Sequence, residues 1–220
     1  MDIHKLIVEN NIHKKYLVYG HADFIVHNPE VIKAWSEIGL KACIVGLESP
    51  RNDELDHYQK NADVEMNDKA IQILHDNHVD VYASFIVDPS WTKKDFRNLG
   101  HYIMRNKLFY VVIQPLTPLP GTAMFMDYED SLIIGRKYYE LWDMQHAVLR
   151  TRLDEKDFYR QIRNIYLRTI FNPFKTAKLH LNTTPPLFSY KYIRLLLGCF
   201  YIYKDLRSAH THLATLGKSN

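Results

Sequence analysis

Three times in this chain an apolar, β-prone run ends in a glycine or proline turn and gives way to a helix-like stretch. The first run, residues 42–45, ends in Gly46-Leu47-Glu48-Ser49. The second, residues 79–87, ends at Asp88-Pro89, and the third, residues 109–115, ends in Thr117-Pro118-Leu119-Pro120-Gly121-Thr122. A shorter strand at 16–18 precedes them and leads into Gly20-His21-Ala22-Asp23. Strands alternating with helices imply right-handed βαβ units and a parallel sheet. Chemistry in such a sheet sits at the C-terminal ends of the strands, where the loops form a crevice. Residues 79–87 are nearly continuous in apolar and β-prone types, as in a strand buried on both faces. Four units are visible, whereas a closed eight-unit barrel takes about 250 residues. The pattern predicts a small open sheet or part of a larger barrel. The strand at 16–18 would then be an open edge, a template for association.

Helix signals fill the gaps. Ile3, Leu6 and Ile7 predict a helix over residues 2–14. Asn28 and Pro29 open another that Gly39 stops, and residues 53–59 make a short one. Asn67 reads as the cap of a helix over 68–77, with Ala70, Ile71 and Leu74 on one face. Ser90 or Thr92 caps the next, whose stripe is Phe96, Leu99, Tyr102 and Ile103. Beyond residue 130 the strand signals fade. Helices are predicted over 133–149, 157–171 and 190–213, with a loop over 172–186. The expected division is an α/β part over 1–130 and a helical C-terminal extension over 131–220.

Composition narrows the classes. At 220 residues, 46% hydrophobic and 24% charged, the chain can bury a core and matches soluble globular proteins. Two distant cysteines, Cys43 and Cys199, indicate no disulfide framework and a reducing, cytoplasmic compartment. Asp2, His4, Lys5 and Glu9 argue against a signal peptide, and the apolar run at 195–203 is shorter than the about 20 residues that span a bilayer. The net charge of +3 conceals an asymmetry: residues 1–135 hold 13 Lys+Arg and 19 Asp+Glu, residues 136–220 hold 15 and 6. A basic C-terminal part is either a solvated helical face or a contact for an acidic partner or a membrane surface. The helix at 190–213 is basic and amphipathic, the form that lies at a membrane surface.

Among single motifs, Gly46-Leu47-Glu48-Ser49 sets a carboxylate at the end of a strand, where it could hold a ligand amine or hydroxyl or accept backbone N–H groups of its own turn. Gly46 lets the backbone approach whatever lies above it. The turn at 117–122 has two prolines that fix φ and a glycine that permits positive φ. His75/His78 and His210/His212 lack a third ligand at zinc spacing, so no metal site is expected. No Walker loop, dinucleotide fingerprint or Gly-x-Ser-x-Gly elbow occurs, and no nucleic-acid partner is expected.

In order and spacing, these stretches resemble the second half of a radical S-adenosylmethionine domain of the cobalamin-dependent, hopanoid C-3 methylase-like type. The matching text is Tyr19-Gly20-His21-Ala22-Asp23, residues 38–49, 67–74 and 85–91, Asp95-Phe96, and residues 116–122, 143–149 and 155–159. The resemblance implies a partial (βα) barrel of parallel strands, a half-barrel, with S-adenosylmethionine at the sheet edge. It makes Gly46, Glu48 and Ser49 candidate cofactor contacts and sets Pro118 and Gly121 on the far side of the pocket. His21 stands where that family usually has arginine, so a fixed cation is replaced by a mostly neutral ring. The family's [4Fe–4S] cluster needs three thiolates in Cys-x3-Cys-x2-Cys, which this chain does not contain. By that resemblance, the cluster and cobalamin come only with a preceding part that this sequence does not include.

Two functions follow as expectations. One is a fragment of a radical S-adenosylmethionine methyltransferase, inactive by itself. The other is a non-catalytic binding or assembly module that complements a chain carrying the cluster half. Contact with a membrane surface through 190–213 would suit a relative of lipid-modifying methylases.

Overall fold

The computed structural model describes residues 3–58 and 62–170, together with Leu197, Tyr201 and Lys204. The elements are α1 (Ile3–Glu9), β1 (Tyr16–Gly20), α2 (Ala22–His27), α3 (Pro29–Glu37), β2 (Leu40–Glu48), α4 (Asn52–His57), α5 (Val64–Asp76), β3 (Asp80–Val87), α6 (Lys93–Arg105), β4 (Tyr110–Pro115), α7 (Ala123–Tyr128) and α8 (Glu155–Ile170). Two 3-10 turns, Glu129–Ser131 and Arg136–Leu141, fall between α7 and α8. The sheet runs in the order β1-β2-β3-β4, with β1 parallel to β2 and β2 parallel to β3. It is open, as the α/β partial-barrel expectation requires: among the described residues β1 and β4 each have one strand neighbour.

The chain divides into two compact units. Of the described residues, one holds those up to 85 and 102–112, the other 86–101 and 113–170.

In the first unit the strands alternate. Cys43, Val45 and Leu47 of β2 and Val81, Ala83 and Phe85 of β3 are buried, while Ile44, Gly46, Tyr82 and Ser84 are half-buried. Period-two burial means that one face is covered and the other open. The nearly unbroken apolar text of β3 predicted burial on both faces; the difference is Tyr82, whose ring stacks flat on Tyr110 at 4.4 Å on the half-buried face. α2 and α3 lie against β2, and α2 also packs on α5, whose Ala70, Ile71 and Leu74 are buried as predicted. That helix starts earlier than Asn67 suggests. Asp63 is its cap, accepting the Met66 N–H at 2.7 Å, and Asn67 is buried inside the first turns.

The second unit is built on rings meeting edge to face. Trp91 meets Phe96 at 5.2 Å, Phe96 meets Phe158 at 5.5 Å, and Phe158 meets Tyr159 at 5.8 Å. Thr92 caps α6 jointly with Asp95, whose carboxylate accepts from both the Thr92 N–H and its hydroxyl. The expected helix over 133–149 is absent. Tyr138 leaves helical geometry at φ −104° and ψ 47°, and the Asp143 carboxylate turns the chain by accepting the Gln145 and His146 N–H groups. Leu132 instead bridges Leu149 in antiparallel fashion. Side-chain turns of this kind compete with helical bonding. On the outer side of β4, the Ile113 N–H donates to the Tyr166 hydroxyl of α8 at 2.9 Å.

The expected loop at 172–186 and helix at 190–213 lie outside the described residues, except that Leu197, Tyr201 and Lys204 are helical and exposed. No helix among the described residues is long and apolar enough to cross a membrane.

Candidate functional site

The end of β2 is where sequence expectation and geometry meet most closely. Gly46 and Glu48 bracket an irregularity: Gly46 pairs with Ser84 and Glu48 with Phe85, so Leu47 is extra. A bulge bends the strand and re-aims its side chains. Glu48 sits in the left-handed region at φ 60°, a conformation a non-glycine residue adopts only where the surroundings impose it. Those surroundings are visible. The Leu47 carbonyl accepts from the Ser49 N–H at 2.8 Å and from the Asn67 side-chain amide at 3.0 Å. Ser49 is fully buried; its hydroxyl donates to the Glu54 carboxylate and accepts the Arg51 N–H at 3.1 Å. Arg51 in turn reaches Glu54 at 3.4 Å. The turn is therefore clamped from beneath by Ser49, Glu54 and Asn67.

This geometry sorts the candidates. Gly46 and Glu48 are half-buried at the strand end. The Ser49 hydroxyl is committed inside the turn, which makes Ser49 a positioning residue. Asn67 and Glu54 belong to the same clamp, and the sequence marked neither for that role; a polar residue inside an apolar helical stripe is the signal that could have found Asn67. His21 is exposed directly after β1. Gly20 pairs with Val45, so His21 follows at the level of Gly46. Gly20 itself must be small: a Cβ there would lie 2.8 Å from Cys43 Sγ and 3.2 Å from Ile25 Cδ1.

Pro118 and Gly121 belong to the second unit. Pro118 is buried, and Gly121 is exposed at φ 88° with nothing within 4 Å of where a Cβ would stand. Thr122 then caps α7, its hydroxyl oxygen accepting the Phe125 N–H. Below this turn the strand ends are roofed by the 147–152 segment: the Ile133 N–H donates to Val148 O at 2.9 Å and the Arg152 N–H to Pro89 O at 2.7 Å. Val87, Pro89, Leu116, Ala147, Leu149 and Phe158 line a small apolar dimple there. Asp88 folds back on its own turn, accepting the Ser90 N–H and hydroxyl. Burial opposes ionisation of Asp143, yet the N–H groups of His146 and Gln145 and the His146 ring hold its carboxyl below the usual range.

Glu155 is the group with the least ordinary chemistry. Burial pushes its carboxyl up to about 7, and its Oε1 has no hydrogen-bond partner among the described residues. The folded state therefore prefers the neutral acid. Its contribution to stability is fully present below the unfolded value of 4.5 and is lost as pH rises through about 7. Glu155→Gln is expected to flatten the decline in melting temperature between about pH 5 and pH 8. Equal slopes for variant and parent would refute the assignment.

For metals the arrangement is unpromising. Cys43 is buried and its thiol is pushed up to about 11 by that burial. Among the described residues no three His, Cys, Asp or Glu side chains are grouped to hold an ion.

No family model matches the chain. Hopanoid C-3 methylase of Methylococcus capsulatus is 29% identical over 162 residues, covering 74% of this chain and 31% of that protein. Bacteriochlorophyllide d C-8(2)-methyltransferase of Chlorobaculum tepidum is 26% identical, covering 70% of this chain and 37% of that one. The chain thus spans about a third of the length of the curated relatives it matches. Two solved folds agree. The cobalamin-dependent S-adenosylmethionine radical enzyme OxsB, with aqua-cobalamin and S-adenosylmethionine bound, superposes with TM-score 0.55 at 13% identity over 95% of this chain and 36% of that one. The radical S-adenosylmethionine methyltransferase TsrM from Kitasatospora setae, with cobalamin and a [4Fe–4S] cluster bound, gives 0.54 at 11% identity over 99% of this chain and 48% of that one. The chain is therefore similar in sequence to the hopanoid and bacteriochlorophyllide methylases and shares its fold with cobalamin-dependent radical S-adenosylmethionine enzymes.

Proposed function

We propose that this chain supplies the cofactor-positioning part of a cobalamin-dependent radical S-adenosylmethionine methyltransferase, and that the cluster is held by residues outside this sequence. The observation that carries this reading is a conflict. Similarity to a methylase extends over 74% of the chain, yet the whole sequence has two cysteines. One of them, Cys43, is a buried thiol with raised pKa, unsuited to cluster ligation. No step through a cluster is assigned to this chain.

S-adenosylmethionine fits better. Gly46 offers close backbone approach, and the bulge presents Glu48 at the strand end, a carboxylate suited to an ammonium group. His21 stands at the same edge. Pro118 and Gly121 are assigned to the pocket by resemblance alone. When bound, S-adenosylmethionine supplies the transferable methyl group; the chain's own residues hold and orient it. The missing thiolates equally suit a non-catalytic module that complements a cluster-bearing partner.

Anaerobic reconstitution with iron and sulfide, followed by calorimetry with S-adenosylmethionine, separates the readings. The isolated chain is expected to retain no [4Fe–4S] cluster but to bind S-adenosylmethionine, with Glu48→Gln weakening that binding by about tenfold or more. A stoichiometric cluster would overturn the division of labour. Absence of S-adenosylmethionine binding would favour the non-catalytic module.

A further inference from the structure

The turn that ends β2 is closed by a very short loop. The Ser49 N–H donates to Leu47 O at 2.8 Å, which makes Glu48 the centre of a three-residue γ-turn. Such turns come in two hands. The common one has negative φ at its centre; Glu48, at φ 60°, has the rare and strained one. Strain of this kind persists only where the surroundings over-determine it, and it gathers at ligand clamps. Glycine would adopt the same backbone without a steric penalty. The chain has a glutamate there instead.

What holds the turn comes from a distant part of the chain. A carbonyl oxygen has two lone pairs. On Leu47 the second acceptor site is taken by the Asn67 side-chain amide, at 3.0 Å. Asn67 is 1% exposed and shares its helix face with the buried Ala70, Ile71 and Leu74. An amide in an apolar stripe is unfavourable unless it is hydrogen-bonded. The partner it has is the carbonyl that opens the γ-turn. The start of α5 is tied down beside that turn as well, because the Val64 N–H donates to the side chain of Asn52, the first residue of α4, at 2.9 Å.

We propose that Asn67 is a positioning residue for ligand binding at the end of β2. By holding the Leu47 carbonyl it keeps the γ-turn wound and the Glu48 carboxylate at the strand end, without touching the ligand itself. When that bond is lost, Ser49 alone holds the carbonyl, and residues 47–49 relax toward extended backbone. The proposal rests on the reading that Glu48 meets the ammonium group of S-adenosylmethionine; the strain in the turn needs no ligand.

Two measurements on the full chain test it. In urea unfolding, Glu48→Gly and Glu48→Ala both delete the carboxylate, so their difference reports the backbone. At an ordinary position alanine is the more stable of the two. Here glycine should unfold at the higher urea concentration. With Asn67→Ala added to each, the two midpoints should coincide or change order. A general loss of packing would lower both alike and leave their order as it was. In calorimetry with S-adenosylmethionine, Asn67→Ala should bind about tenfold more weakly than the parent. Asn67→Ala combined with Glu48→Gln should bind no more weakly than Glu48→Gln alone. If Asn67→Ala does not fold, Asn67→Asp replaces it, being similar in shape and without the donor once ionised. Alanine equal to or above glycine in the parent chain would overturn the proposal. So would a gap that survives loss of the Asn67 amide, or S-adenosylmethionine binding that the Asn67 variant leaves undiminished. A parent chain that binds no S-adenosylmethionine would overturn the cofactor reading instead, and the urea comparison then decides the role of Asn67 by itself.

Discussion

Gly39→Ala is expected to lower the unfolding free energy by about 3 kcal/mol or more, enough to leave a domain of ordinary stability largely unfolded. Gly39 links α3 to β2 at φ 119°, a backbone conformation that side chains rarely adopt. Space is also lacking: a Cβ there would lie 2.0 Å from the Lys14 carbonyl oxygen, which is main chain and cannot swing aside. The displacement would also reach β1, because the Gly39 carbonyl accepts the Tyr16 N–H that begins the β1–β2 ladder. Gly121→Ala is the control. Its φ is also positive, at 88°, but no atom lies within 4 Å of the added Cβ, so only local strain of about 1 kcal/mol is due. Urea unfolding followed by circular dichroism measures both. A Gly39 variant with an unchanged midpoint would show that the 38–40 connection can rearrange.

Trp91→Ala should cost about 3–5 kcal/mol through the cavity it leaves. Trp91 is 1% exposed and is the largest fully buried side chain of its unit. It opens the series of edge-to-face rings through Phe96 and Phe158 to Tyr159. Removing the end of such a series unseats the next ring, so the loss exceeds the area of one side chain. Trp91→Phe keeps an aromatic edge and should retain most of the stability. A truncation that costs under about 1 kcal/mol would mean that the unit collapses around the gap.

Much of this architecture is legible in the residues because it follows from periodicity. The apolar runs at 42–45 and 79–87 and the stripe of α6 announce themselves by spacing, which burial rewards directly. What stays hidden depends on contacts far along the chain. Asn67 has the chemistry of a helix cap, and only the distant Leu47 carbonyl explains why it is buried instead. Residues 133–149 hold enough apolar side chains for a helix, but the Asp143 turn and the Leu132–Leu149 bridge prevail. At the candidate site, Gly46 and Glu48 were marked by lying after a strand. The bulge that gives Glu48 its left-handed backbone has no sequence signature of its own, because two strands must be paired before a residue can be extra.

The hydrogen bond between Ile113 and Tyr166 has a consequence for strand-by-strand growth. An addition polymer grows only from units with two reactive ends. At β4 the outward positions are Val111, Ile113, whose N–H is occupied by the Tyr166 hydroxyl, and Pro115, which has no N–H to give. An edge with two of its three outward donors occupied or missing is a poor end for such growth. The strand chemistry that builds open-ended fibrils elsewhere has little to extend from along β4.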